Sequence, residues 1–271
     1  APESRTDKSA KSSGKAAFHI VLLAMNMEGY KNLMKLASIA QLQGFHYKPR
    51  IDKEVLVQHS AGLIAMTACL HGEIPYLIVK EKNMELAREK TRGLQEIFGD
   101  RLYLELQENG MDEQHEANRG LKELSADLNI PMVATNDCHY LNREENKAHE
   151  LLLCIQTGKN ILDANRFKFT TDQLYFKSPD EMRKSFDHCP EAIAYTVAIA
   201  ARCNLELEFG NHYFPIFPVP EGESLDSLFE QAAREGFKER LKELRRRQDV
   251  SPELEKTYPK RLAMEMEAHT T

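Results

Sequence analysis

The sequence predicts an α/β protein in which parallel strands alternate with helices, followed by a mostly helical C-terminal segment. Short uninterrupted apolar runs recur at residues 18–24, 62–67, 102–106 and 130–135, the pattern of strands buried on both faces. Stretches with apolar residues at helical spacing separate these runs. Beyond residue 143 the strand signals stop and only helical ones continue. Repeated βα units of this kind wind into an open sheet or close into a barrel, and in both forms ligand chemistry collects at the carboxyl ends of the strands.

Composition sets the outer limits. Of 271 residues, 42% are hydrophobic and 29% charged, too rich in core formers for a disordered chain. Lys and Arg number 36 against 42 Asp and Glu, so 36 − 42 leaves a net charge of −6. That argues against a generally basic nucleic-acid coat protein while allowing a local basic channel. No apolar run is long enough to span a membrane. The five cysteines, Cys69, Cys138, Cys154, Cys189 and Cys203, are odd in number and scattered, which points to a reducing cytoplasm. The chain opens on Ala-Pro-Glu-Ser-Arg, with neither an initiator Met nor a secretory signal, and reads as a piece of a longer protein.

The elements follow in order. Residues 1–16 lack large apolar side chains and read as a flexible loop or tail. The first strand, 18–24, precedes a helix over 29–42 with Leu33, Leu36, Ala37 and Ala40 on one face. The second strand, 62–67, precedes helices at 72–80 and 82–97. The third, 102–106, precedes a polar helix at 112–127, and the fourth, 130–135, runs into Asn136-Asp137-Cys138-His139. Helices follow at 143–156, 179–187 and 190–202. Pro215, Pro218 and Pro220 then make 213–220 an extended connector. A charged helix over 224–247 ends on Arg245, Arg246 and Arg247, and another begins near Pro259. The expected organisation is a loop at 1–16, a domain at 17–212, and a connector with a further segment at 213–271.

Four places offer metal-ligating chemistry. Asp137 and His139 lie two residues apart in a segment expected to be extended, so both side chains would face one ion, with Cys138 turned away. A carboxylate and an imidazole suit Zn, Mn or Fe. Cys69 follows the second strand, with His71 beside it, and His19 begins the first. Glu105 interrupts an apolar strand and needs a partner there; it could orient a ligating histidine. Each also has an ordinary reading, as a packed thiol, a hydrogen-bonded histidine or a strand-end carboxylate. Lys48 and Arg50, beside Tyr47 and Pro49, could touch phosphate or form a solvated loop. His149 and the His188-Cys189 pair read as structural. No P-loop, G-x-G-x-x-G or G-x-S-x-G motif is present. Two or three ions would need about eight or nine ligands. The chain offers about half, so the site is mononuclear or draws on residues outside it.

The ordered motifs 45–52 (FHYKPRID), 62–75 (GLIAMTACLHGEIP), 103–107 (YLELQ), 133–140 (VATNDCHY), 152–159 (LLCIQTGK) and 213–218 (YFPIFP) resemble the alpha subunit of bacterial DNA polymerase III, a replicative polymerase of the C family. The resemblance implies most of a polymerase-and-histidinol-phosphatase (PHP) domain, a distorted, TIM-like βα barrel here lacking its first strands, followed by the start of the polymerase palm. It implies metal ligands at His19, Cys69, Asp137 and His139, with Zn, Mn or Fe in that site. Polymerase aspartates and their Mg would lie outside the chain, so this segment alone would be inactive. The implied activities are DNA-directed DNA synthesis and a metal-dependent 3′–5′ exonuclease or phosphoesterase. The alternative is a non-catalytic module that docks a proofreading exonuclease subunit. The implied partners are DNA, that exonuclease, the sliding clamp and the clamp loader, in the cytoplasm.

Overall fold

The computed structural model describes residues 4–9, 17–247 and 251–270. Its elements are β1 (Val21–Ala24), α1 (Met27–Leu42), α2 (Lys53–Gln58), β2 (Leu63–Met66), α3 (Glu73–Val79), α4 (Met84–Phe98), β3 (Leu102–Gln107), α5 (Asp112–Leu128), β4 (Met132–Thr135), α6 (Asn146–Thr157), α7 (Pro179–Ser185), α8 (Pro190–Arg202), α9 (Leu225–Arg247) and α10 (Pro252–Thr270). The chain divides into two compact units between Leu207 and Glu208.

The sheet of the first unit has the order β1-β2-β3-β4. The three later strands run parallel, as the alternating pattern predicts, but β1 pairs antiparallel with β2, Val21 opposite Met66 and Ala24 opposite Leu63. The cause is a close approach that periodicity does not encode. Gly29, at the start of α1, packs so tightly on Gly62 that an added Cβ would sit 1.9 Å from the Gly62 carbonyl oxygen. Met25 N–H donates to that same oxygen at 2.8 Å. The end of β1 is thereby tied beside the beginning of β2, which reverses their directions. The expected barrel is corrected accordingly: among the described residues the sheet is open, and four strands with one reversed fall well short of the roughly eight a closed βα barrel uses.

Each face of the sheet buries its own side-chain set, because successive residues point to opposite sides. Leu63, Ala65, Leu102, Leu104, Leu106 and Ala134 join the main core with α3, α4 and α5, whose Ile74, Leu94, Phe98 and Leu121 fill it. Ile64, Met66, Tyr103 and Val133 face the other way, packing with Ile199 and Tyr195 of α8. His19 shares parity with Val21 and Leu23, and Glu105 with Tyr103, so both belong to this second face.

Several local expectations change. Residues 4–9 belong to the stretch read as a free loop, yet they are pinned: Arg5 N–H donates to Asp52 at 2.8 Å and its guanidinium pairs with the same carboxylate at 3.0 Å. The rest of that stretch lies outside the described residues. Helix α2 is too short to show periodicity; Asp52 caps it by accepting from Val55 N–H. In the second unit α10 begins at Pro252 and carries Pro259 in its interior instead of starting there. Good helix formers on both sides, Leu254, Glu255 and Lys256 before and Lys260, Arg261 and Leu262 after, carry the helix through the one bond the proline forgoes.

Candidate metal centre

The reversal of β1 decides where the site lies. In an all-parallel sheet His19, at the start of a strand, would sit at the opposite rim from residues that follow strands. Because β1 is antiparallel, its beginning adjoins the carboxyl ends of β2, β3 and β4. His19 pairs across a bridge with Gly72, and its N–H donates to the His71 carbonyl at 2.9 Å. Cys69 follows β2 after a sharp turn in which Ala68 takes a φ of 62°. Gly72 closes that turn: its N–H donates to the Cys69 carbonyl at 2.7 Å, and a Cβ there would lie 2.0 Å from the Thr67 carbonyl oxygen.

The turn aims Cys69 Sγ to within 3.7 Å of His19 Nδ1 and 4.0 Å of His71 Nδ1. Two ligands of one tetrahedral zinc, a thiolate at about 2.3 Å and an imidazole at about 2.05 Å, stand roughly 3.5–3.6 Å apart. The first of these separations is close to that spacing. Burial, reinforced by His71 and Lys48 and opposed by Asp137, lowers the proton affinity of His19, leaving a neutral imidazole with a lone pair to offer. Burial, together with the charges of Asp137 and Glu105, raises the Cys69 thiol, while the His71 N–H pulls the other way. Asp137 is therefore close enough to act on both.

Glu105 stands behind this pair. Its backbone N–H donates to Thr67 Oγ1 at 2.9 Å, where the ladder between β2 and β3 gives way. Its Oε1 accepts from Thr135 Oγ1 at 2.5 Å and from Gln107 Nε2 at 3.2 Å, whereas the buried Oε2 has no partner. Burial raises its carboxyl pKa, against the hydrogen bonds of Thr135, Gln107 and the Ala68 backbone N–H. An unpartnered carboxylate oxygen, a thiol and an imidazole in one neighbourhood are the donor types a divalent cation takes.

Asp137 is not extended: its φ is 51°, in the left-handed region. Asp137 and His139 therefore do not alternate as in a strand, which corrects the expected geometry. His139 Nδ1 lies 2.8 Å from the Asp137 carbonyl oxygen, and its ring packs 5.4 Å from His149 and 5.2 Å from Phe169. Among the described residues, no three His, Cys, Asp or Glu side chains converge tightly enough to hold one ion. The structure thus gathers His19, Cys69, Asp137 and Glu105 into one neighbourhood and sets the His139 ring against His149.

Sequence reasoning missed the support of this rim. Lys177, 7% exposed, donates to Asn136 Oδ1 at 2.8 Å and to the Gln173 carbonyl at 2.6 Å, bracing the turn that carries Asp137. Gln107 and Thr135 hold Glu105; the alternation of Glu105 and Gln107 within β3 was the available signal. Arg50 is a correction. It is buried, and its guanidinium donates to the carbonyls of Gly44, Arg5 and Asp7, so it holds the chain and is not free for phosphate. Lys48 is exposed.

Part of the chain and its overall sequence resemble known proteins. Residues 4–109 match the PHP domain family. The chain is 42% identical to the DNA polymerase III subunit alpha of Thermus aquaticus, over 82% of this chain and 19% of that protein. It is 40% identical to the subunit of Treponema pallidum, over 81% and 19%, and 35% identical to that of Helicobacter pylori, over 97% and 23%. It spans about a fifth of the length of these relatives. No helix among the described residues is long and apolar enough to cross a membrane. Residues 4–109 are thus similar to the PHP domain, and the chain, across most of its length, is similar to one part of the DNA polymerase III alpha subunit.

Proposed function

We propose that the chain is the PHP-bearing part of a cytoplasmic replicative DNA polymerase and that its rim of His19, Cys69, Asp137 and His139 serves metal-dependent hydrolysis of a phosphodiester at a 3′ end. In this reading residues 17–212 are the PHP domain and 213–271 lead towards the palm, with DNA, a proofreading exonuclease, the sliding clamp and the clamp loader as partners of the intact protein. The observation that carries it is the reversed β1, which brings the His19 imidazole to the rim beside the Cys69 thiol, with Asp137 and Glu105 near enough for their charges to act on that thiol.

A bound Zn, Mn or Fe would supply charge neutralisation and an activated water. The protein's part is to hold and orient. His19 presents a neutral ring, Cys69 would hold the ion as its thiolate, and Glu105 has one oxygen without a side-chain partner. Lys48, whose charge is felt at His19, stands where a phosphate would be steered. The test is metal content and 3′–5′ degradation of a mismatched primer by the intact protein. Asp137→Ala and Cys69→Ser should each lower both, degradation by about 100-fold or more. Full metal content and unchanged degradation in Asp137→Ala would reject the reading.

A second reading, a non-catalytic module that docks a proofreading exonuclease, is favoured by the lack of a three-donor cluster among the described residues and by a solvent-facing apolar row on α6, Leu151, Leu152 and Ile155. It predicts that substitutions at Leu152 and Ile155, and not at Asp137, abolish association with the exonuclease subunit.

A further inference from the structure

The turn that carries Lys48 holds a conformational anomaly. His46 and Lys48 form an antiparallel bridge, with His46 N–H donating to the Lys48 carbonyl at 3.1 Å. Tyr47 between them takes a φ of 59°, a region that glycine and asparagine enter readily and a bulky aromatic residue does not. The residue is 63% exposed. The His46 ring meets it edge-on at 4.4 Å, so the contact covers part of the tyrosine and leaves surface open to solvent. Packing therefore does not explain why the strained position carries a large flat side chain. Strain retained at an exposed site is a mark of use.

The surroundings indicate the use. Pro49 and Arg50, which follow in the same turn, line a cavity of about 510 Å³ together with His19. Lys48 lies near enough to His19 for its charge to act there. An open aromatic face beside an ammonium group, in a turn whose Pro49 and Arg50 share a largely apolar cavity with His19, matches the alternating chemistry of a nucleotide, base then phosphate.

We propose that Tyr47 is a stacking platform for the terminal base of a single strand and that Lys48 holds the adjoining phosphate, forming a subsite that presents a strand end to the rim of His19 and Cys69. This inference deepens the hydrolytic reading and rests on it for the identity of the substrate, but it makes its own claim about binding. The shared chemistry is a nucleoside phosphate, whether the end of a strand or a free nucleotide.

The test uses the intact protein in EDTA, so that no strand is cut, and an oligonucleotide with 2-aminopurine at its 3′ end. Stacking on Tyr47 should quench the probe, and Tyr47→Trp should preserve the quenching. Tyr47→Asn should weaken end binding about fivefold or more. The same variant should melt no lower than the wild type, because asparagine relieves the backbone at this φ. Lys48→Gln should make the salt dependence of binding shallower by about 0.7 in log–log slope. A parallel titration with 2-aminopurine nucleoside monophosphate separates the sources: quenching of the strand alone supports a strand end, and quenching of both supports the same subsite filled by free nucleotide. Equal probe fluorescence with wild type and Tyr47→Asn overturns the proposal, and so does a Tyr47→Asn protein that melts several degrees lower. Because no metal takes part, Tyr47-dependent quenching that persists alongside unchanged degradation in Asp137→Ala would reject the hydrolytic reading and leave the subsite standing.

Discussion

Glu105 and Asp52 are both buried acids, and their surroundings treat them in opposite ways. At Glu105 one oxygen is satisfied and the other is orphaned, and burial raises the pKa above its ordinary 4.5. The folded state therefore binds a proton more tightly than the unfolded one. Its contribution to stability is complete below about pH 4.5 and is lost as pH rises through the folded value. Glu105→Gln should stabilise the metal-free protein at pH 8 by about 1 kcal/mol, a rise of roughly 2–4 °C in melting temperature, with no gain near pH 4. At Asp52 burial also pushes upward, but the N–H groups of Arg5 and Val55 and the Arg5 guanidinium outweigh it and hold the carboxyl below 3.8. That stabilisation is present above about pH 4 and disappears as pH falls through the lower folded value. Asp52→Ala should cost about 1 kcal/mol through the lost cap of α2 and flatten the acid limb of a melting-temperature profile, whereas Asp52→Asn, which can still cap, should flatten that limb while keeping most of the stability at pH 7.

Among elements, the decisive ones are short turns. Gly72 has an ordinary φ of −67°, so its requirement is spatial: the carbonyl of Thr67 occupies the place a Cβ would take. Gly72→Ala should force the Thr67–Cys69 turn outward and cost about 1–3 kcal/mol, measurable by denaturant melts. It should also carry the thiol away from His19, seen as loss of the thiolate-to-cobalt absorption band in the cobalt-loaded protein. These turns mark the limit of what periodicity conveys. Apart from the short α2, the helices and strands of the first unit were legible to within a few residues, because apolar spacing reports which face is buried. The direction of β1 was not, since it depends on Gly29 meeting Gly62, 33 positions away in the chain. Arg50 and Lys48 look alike in a basic stretch; only the carbonyls that gather round Arg50 separate a structural cation from an exposed one.

Across the whole molecule, the two units differ in how they are held. The first has two apolar cores, one on each face of its sheet. In the second, the segment from Tyr213 to Pro220 has no regular structure and exposes Tyr213, Phe214, Ile216 and Phe217. Limited chymotrypsin treatment should cut first at these aromatic residues, leaving a resistant fragment that ends near residue 213. If the candidate rim binds a cation, adding zinc should raise the melting transition of the first unit by ligand linkage, about 2.7 kcal/mol at a hundredfold excess over the dissociation constant, and EDTA should reverse it. The location of that rim was legible from strand-end His, Cys and Asp residues. Its uneven geometry was not, because the left-handed turn at Asp137 depends on the distant Lys177 holding Asn136.

The pleat between His19 and the first ladder pair gives the chain a strict parity. One residue inserted or deleted between His19 and Val21 would swing the imidazole to the opposite side of the sheet while every downstream strand kept its partners. Such a frame slip would leave a folded protein with three-quarters of a rim, a failure that stability assays would pass over and only chemistry at the site would reveal.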